Sequence, residues 1–378
     1  MKLLYVNALF DRSAGGGIAE RGVQLCRALV AEGTECTVLT LDIGLDAGRR
    51  RDLAGIRVTA LPYMNRRFLL PRVPPGTIRR LVADADVIEL CSHWTVLNAL
   101  VYRAVRWLKK PYLATPAGAL VMVGRSPVLK RGYQQWIGQD IIRNADAPIA
   151  VTAGELPEFE ACGVSREAVT VIPNGVGIPD DPGPAGQEVL EKFGLSGRRF
   201  VLFMGRLSFI KSPDILLDAY ARVARQLPGY DLVFAGPDEG MLAGLRASAA
   251  TLGLTDRIHF LGYLSGPERE CIYRACDLLA IPSRREAMSL VALEAGVRGK
   301  AVLITDQCGF GEIATVGGGR VVPVDPEAMG AALVAMTADA GALQAMGRAL
   351  RDHVRSEYTW QRSARLHRSV CERIVSRK

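Results

Sequence analysis

No apolar run in this sequence approaches the ~18 residues needed to cross a bilayer, so no membrane-spanning helix is expected. Paired cysteines are lacking as well. The eight cysteines are scattered with no CxxC, which disfavours a zinc site or a disulfide framework and favours reduced thiols in a cytosolic protein. Histidine is scarce, with four in the chain. The dinucleotide fingerprint GxGxxG is absent from "DRSAGGGIAE". No acidic residue closes a second strand about 20 residues on, so a nicotinamide oxidoreductase fits poorly. The start, "MKLLYVNALF", runs into "DRSAGGG" without a small-residue cleavage site and reads as a first strand, not a signal peptide. No nucleic-acid recognition motif is present, so nucleic acid is not an expected partner.

What is present is length, glycine and unevenly placed charge. The 378 residues exceed one ordinary core, and two domains of similar size are expected. Hydrophobic residues make up 49% and 39 glycines punctuate them, which suits a soluble α/β protein. The formal charge is +8, yet residues 49–131 hold 16 Lys and Arg against four acids, a net +12. An anionic partner for the first half follows: a membrane surface or a phosphate-bearing acceptor. "RRFLLPR" and "RAVRWLKKPY" interleave cations with Phe, Leu and Trp, as interfacial membrane contact requires, though a solvated basic face gives similar sequences.

Short β-branched runs alternate with helical patterns. "KLLYVN", "ECTVLTL", "IRVTAL", "DVIELCS", "PYLATPA", "APIAVT" and "AVTVIPNG" read as strands, and "GGIAERGVQLCRALVAEG" as a helix closed by Gly33. This alternation implies a parallel sheet covered by helices. "PNGVGIPDDPGPAGQ" is too rich in proline and glycine for an element and reads as a linker. The pattern then restarts with "RFVLFMG", a helix with Pro213 in its first turn, "YDLVFAG", "RIHFLGYL", "DLLAIPS" and "AVLITD". The expected organisation is an N-terminal Rossmann-like domain over 1–175, a linker over 176–190 and a second over 191–359. The helix 360–378 packs back on the first. Two doubly wound domains facing across a cleft place a ligand at the carboxyl ends of their strands.

Four stretches carry candidate chemistry. In "MGRLSFIKSPDILL", Arg206 and Lys211 lie between a strand and a helix N-terminus, which suits a diphosphate; two solvated cations would look the same. In "PSRREAMSLVALEAGVRGK", Ser289 stands at a helix N-cap, and the free N–H groups of Met288, Ser289, Leu290 and Val291 could hold an anion. Glu286 and Glu294 could accept hydrogen bonds from sugar or ribose hydroxyls. Alternatively, Glu286 pairs with Arg284 or Arg285, and Glu294 with Arg298 at i+4. Gly15, Gly16 and Gly17 permit close backbone approach of a phosphate or acceptor. His93 follows a hydrophobic strand and could serve acid–base work, or could be a packed neighbour of Trp94.

Together these motifs resemble the retaining GT-B glycosyltransferases of family four. The resemblance covers nearly the whole chain and is sharpest at Glu286 and Glu294, which match the E-x7-E motif after "PS" and before "ALEA". "GRLSFIKSPDILLDA" is similar to the family's phosphate-binding segment. "AGPDEG", "LGYLSGPERECIYRACDLLAIPS" and "VIPNGV" also look like its punctuation. The resemblance implies that Gly205, Arg206 and Lys211 hold the donor diphosphate, assisted by the helix start at 288–291. Glu294 would bind ribose, Glu286 and His93 the transferred sugar, and Gly262 and Tyr263 would border the base. Gly15 to Gly17 would line the acceptor side. Catalysis would rest on His93, Glu286, Arg206 and Lys211, with no metal and no further cofactor. One position departs from the pattern: Ala287 stands where glycine usually follows the first glutamate.

The expected function is transfer of a sugar from a UDP- or GDP-linked donor to a glycan or polyprenyl-diphosphate-linked acceptor, in synthesis of a bacterial surface polysaccharide or glycolipid. The expected place is the cytoplasm, with peripheral attachment to the inner face of the cell membrane. The rivals are a GT-B epimerase, a phosphorylase and a non-catalytic nucleotide-sugar or membrane-binding protein.

Overall fold

The computed structural model describes residues 1–11, 15–122, 127–179, 186–264 and 266–377. The chain divides into two compact units, Met1–Gly175 with Trp360–Lys378, and Val176–Thr359.

The first unit contains β1 (Lys2–Val6), β2 (Glu35–Leu41), β3 (Arg57–Leu61), β4 (Tyr63–Asn65), β5 (Leu70–Pro71), β6 (Val87–Cys91), β7 (Tyr112–Thr115), β8 (Ala147–Ala150) and β9 (Thr170–Val171). Seven of these form one sheet in the order β3-β2-β1-β6-β7-β8-β9, and β4 and β5 pair apart as an antiparallel hairpin. The other pairings are parallel. The sequence pattern misses this hairpin because its strands have only three and two residues. Central strands read as unbroken apolar runs because helices cover both faces: Val87 to Cys91 are all buried. The helix Gly16–Ala31 buries Ala19, Val23, Cys26 and Leu29, a stripe at helical spacing.

A charged cluster sits inside this unit. Glu89 on β6 is wholly buried, as are Arg21 and His367. Arg21 Nη1 lies 3.5 Å from Glu89 Oε1 and 3.3 Å from the Tyr5 hydroxyl, and Arg21 Nη2 lies 3.2 Å from His367 Nε2. Thr115 Oγ1 donates to Glu89 Oε1 at 2.8 Å. Burial pushes the Glu89 carboxyl up, but His367, Arg21 and Thr115 together outweigh it and hold it down at about 2. His367 belongs to the helix Trp360–Ser376, which this cluster pins against Gly16–Ala31. Ser363 Oγ adds a bond to the Pro173 carbonyl at 2.6 Å.

The second unit contains β10 (Arg199–Met204), β11 (Tyr230–Ala235), β12 (Ile258–Gly262), β13 (Leu278–Ile281), β14 (Ala301–Thr305) and β15 (Gly319–Val322). They form one parallel sheet in the order β12-β11-β10-β13-β14-β15. Leu202, Leu232, Leu279 and Leu303 are completely buried at its centre; truncating one to alanine costs about 2–5 kcal/mol. The helix Pro213–Val223 begins with proline at its first position, where the missing N–H costs nothing. Part of the expected linker, 180–185, lies outside the described residues. Its end does not stay irregular: Gln187–Lys192 is helical, since the proline and glycine density ends at Gly186. Among the described residues no single helix is long and apolar enough to cross a membrane.

Candidate functional site

The sheet of the second unit reverses its order between β10 and β13, and ligands of such sheets bind outside the strand ends at that point. β10 leads into Gly205, Arg206 and Lys211; β13 leads into Ser283, Glu286 and Ser289. The fold thus brings two stretches distant in sequence to one edge: the Arg284 N–H donates to the Ile210 carbonyl at 2.9 Å.

Lys211 and Glu286 meet directly, Nζ to Oε1 at 2.8 Å. The Glu286 side chain is only 7% exposed, so burial without a partner would be costly. It has a second one: Ser283 Oγ donates to the same oxygen at 2.5 Å. Thr305 Oγ1 in turn donates to the Ser283 carbonyl at 2.6 Å, and the Glu286 N–H donates to the Gln307 carbonyl at 2.8 Å. Arg284 goes elsewhere. It forks onto Asp214 at 2.9 and 3.1 Å and lies over the Phe209 ring at 4.1 Å. Arg206 does not join Lys211 in this contact; its Nη1 reaches Glu239 at 2.7 Å.

Ala287 fits without strain of its own, since it is not among the non-glycine residues with positive φ. The space comes from Gly309, whose φ is +59° and where a Cβ would lie 1.7 Å from the Ala287 carbonyl oxygen. The helix Leu290–Val297 starts after Ser289. Ser289 holds the N-cap position but makes no capping bond, contrary to the role expected for its side chain. Its Oγ is buried and unpartnered among the described residues. Met288 is buried and Leu290 and Val291 are half-buried. Glu294 accepts from the Tyr273 hydroxyl at 2.7 Å and lies 3.4 Å from Arg269 Nη1. Arg298 donates to the main-chain oxygen of Glu294 and to the carboxylate of Glu270. Gly262 ends β12, and Tyr263 beside it is 55% exposed.

In the first unit the order reverses between β1 and β6. Residues 12–14 after β1 lie outside those described. Gly15 precedes the helix Gly16–Ala31, and a Cβ on it would lie 2.6 Å from the Asp11 carbonyl oxygen and 2.5 Å from the Ala19 Cβ. Gly16 and Gly17 form the helix start. Ser92 after β6 and Ala117 after β7 both hold left-handed backbone, φ +65° and +50°; such strain collects at functional edges. His93 is 1% exposed. Its ring meets Trp94 and Tyr133 edge-on, and its Nε2 lies 2.7 Å from Gln134 Oε1. The Tyr133 hydroxyl donates to the His93 carbonyl at 2.9 Å. Burial pushes the imidazole below its ordinary range, against an opposing pull from Gln134. Nδ1 is buried without a partner among the described residues.

Sequence reasoning missed Ser283, Thr305, Tyr273, Glu239, Gln134 and Gly309. Only Tyr273 left a signal, as a tyrosine four residues after Arg269, on the same helical face. Among the described residues no three His, Cys, Asp or Glu side chains cluster as a metal site would need.

Two family models match. "Glycosyltransferase Family 4" covers residues 15–178 and "Glycosyl transferases group 1" covers 187–353. A D-inositol 3-phosphate glycosyltransferase of Segniliparus rotundus is 31% identical over 284 residues, 69% of this chain and 61% of that protein. A mannosylfructose-phosphate synthase of Agrobacterium fabrum is 28% identical over 249 residues, 59% of this chain and 54% of that protein. The chain spans less than two thirds of the length of the first three curated relatives it matches. A crystal structure of Anabaena HepE in complex with UDP and glucose shares the fold, with a TM-score of 0.79 and 20% identity over 98% of this chain and 99% of that one. The two parallel-sheet units are those of the GT-B fold, and the chain belongs to the family-four glycosyltransferases.

Proposed function

We propose that this protein transfers a sugar from a nucleoside-diphosphate sugar to a hydroxyl acceptor, with retention at the anomeric carbon. The observation that carries the reading is the Lys211–Glu286 contact at the strand-order reversal, 2.8 Å long, beside a helix start whose Ser289 hydroxyl is orphaned. A carboxylate already paired with a cation is ready for exchange. An incoming diphosphate takes Lys211, and Glu286, still held by Ser283, turns to sugar hydroxyls. Arg206 changes partner in the same way, from Glu239 to phosphate. The bond from the anomeric carbon to the β-phosphate oxygen breaks, and the acceptor oxygen bonds that carbon on the same face. Its proton passes to the departing phosphate. Two cations and the N-terminal helix dipole stabilise the charge that develops there. A structural neighbour solved with UDP and glucose makes UDP the first donor to test, with GDP beside it. Glu294 holds ribose and Tyr263 borders the base. His93 needs its ring uncovered before it touches sugar.

The acceptor, on this reading, carries phosphate. The net +12 of residues 49–131 favours it, and the first curated relatives are named for inositol 3-phosphate. Cytoplasmic placement suits the eight free cysteines. A peripheral membrane contact is supported by exposed Met64, Phe68 and Trp107 among arginines, with Arg79 lying 3.9 Å over Trp107.

The test is donor consumption with inositol 3-phosphate, a polyprenyl-diphosphate-linked sugar, a neutral sugar and no acceptor. Acceptor-dependent release of nucleoside diphosphate supports transfer. Consumption only with inorganic phosphate indicates a phosphorylase, conversion of the donor without release indicates an epimerase, and binding without turnover ends the enzymatic reading.

A further inference from the structure

We infer that Tyr273 on the helix Gly266–Ala275, with Arg269, is a positioning residue that sets the Glu294 carboxylate for ribose. The inference rests on the proposed donor reading, in which Glu294 receives the ribose hydroxyls.

Glu294 on its own is a poorly aimed group. It is a side chain with three rotatable bonds near the middle of a short helix, and 18% exposed. Ribose recognition needs both carboxylate oxygens presented as acceptors in one plane, and a freely turning carboxylate loses that entropy on binding. The neighbouring helix supplies the restraint. Tyr273 is wholly buried, and its hydroxyl donates to Oε2 at 2.7 Å. Arg269, one turn earlier on the same face, reaches Oε1 at 3.4 Å. Each oxygen therefore has one partner from Gly266–Ala275 and keeps lone pairs for a ligand.

The tyrosine is itself held. Arg298 lies over its ring at 5.0 Å. The same Arg298 ties the two helices together through Glu270 and the Glu294 main-chain oxygen. Burial and the neighbouring carboxylate push the Tyr273 phenol well above its ordinary range, so it stays a proton donor throughout the working pH range. The helix also begins just beyond Gly262 and Tyr263, the residues proposed to border the base. The ribose alignment would thus lie two turns into the helix that follows those residues in sequence.

The experiment separates this from a general structural role by ligand rather than by stability. UDP, GDP and their 2′,3′-dideoxy forms are titrated into the full-length wild type, Tyr273→Phe, Arg269→Gln and Glu294→Gln. The wild type should prefer the ribonucleotide by about tenfold or more, the size of a lost buried hydrogen-bond set. Glu294→Gln should abolish most of that preference. Tyr273→Phe should reduce it about three- to fivefold while leaving the dideoxy affinity unchanged, and Arg269→Gln should act in the same direction. A Tyr273→Phe protein that keeps the full ribose preference, or that loses affinity for both forms equally, overturns the inference. If Tyr273→Phe does not fold, Arg269→Gln, altered at a half-exposed side chain, decides it by the same criterion. Glu294→Gln retaining the preference, or neither ribonucleotide binding the wild type, overturns the donor reading instead.

Discussion

Gly309 and Lys211 are the residues on which the proposed donor loop turns. Gly309 holds a left-handed backbone and leaves room for the Ala287 carbonyl. Gly309→Ala adds about 1 kcal/mol of backbone strain and a Cβ where no space exists, worth about 1–3 kcal/mol more. Denaturant unfolding should show that loss, and turnover should fall with it; a variant as stable and active as wild type refutes the account of this loop. Lys211→Met removes the cation from the proposed leaving group. Turnover should drop by about 10²- to 10³-fold with the circular dichroism spectrum unchanged, and full turnover would remove Lys211 from the mechanism. Lys211, Glu286 and Glu294 were legible in the sequence because strand, charged loop and helix start follow one another locally. Gly309 and Thr305 were not, since they reach the loop from a distant part of the chain, and no spacing rule links residue 309 to residue 287.

At the scale of elements, the segment behind His93 is the informative one. Gln134–Gly138 forms a π-helical turn between the helices Pro127–Tyr133 and Gln139–Arg143, and π turns collect at functional positions. A Cβ at Gly138 would come within 3.0 Å of His93 Nε2, so the turn is pressed onto the imidazole. Burial lowers the His93 pKa in the folded unit, while the unfolded chain takes up a proton near its ordinary value of about 6.5. Stability from this source is complete above that value and is lost as pH falls through it. Between about pH 7.5 and pH 5.5 the wild type should lose more of its melting temperature than His93→Gln; equal losses would contradict the burial argument. The hairpin of β4 and β5 makes a second element-scale prediction. Neutralising Arg66, Arg67 and Arg72 should lower sedimentation with anionic liposomes and leave neutral liposomes unaffected; unchanged sedimentation counts against membrane contact. The central strands and their parallel pairing were readable from alternation of short apolar runs with helical stripes; their order was not. The hairpin and the π turn were not, because elements of two to five residues carry no periodicity.

At the scale of the molecule, the C-terminal helix Trp360–Ser376 belongs to the first unit, and charge rather than hydrophobicity singles out its anchor. Glu89 inside the apolar run "VIELC" was visible in sequence, but its partners Arg21 and His367 come from chain positions far apart. Glu89→Gln leaves the buried Arg21 guanidinium without its counter-charge and should cost about 3–5 kcal/mol. The carboxyl is held down at about 2, so its contribution is present above the ordinary carboxylate range. It disappears as pH falls from that range towards 2. Acid unfolding of the wild type should be steeper in that window than that of Glu89→Gln, and identical acid limbs would show the cluster to be inert.

The measurement closest to the central claim is calorimetric titration of UDP and GDP, with uridine and guanosine as controls, into wild type and Lys211→Met. The account predicts saturable one-to-one binding of at least one diphosphate, weak or undetectable binding of the nucleosides, and a loss of about tenfold or more in Lys211→Met. Absence of binding by both diphosphates, or equal affinity in the variant, would contradict it.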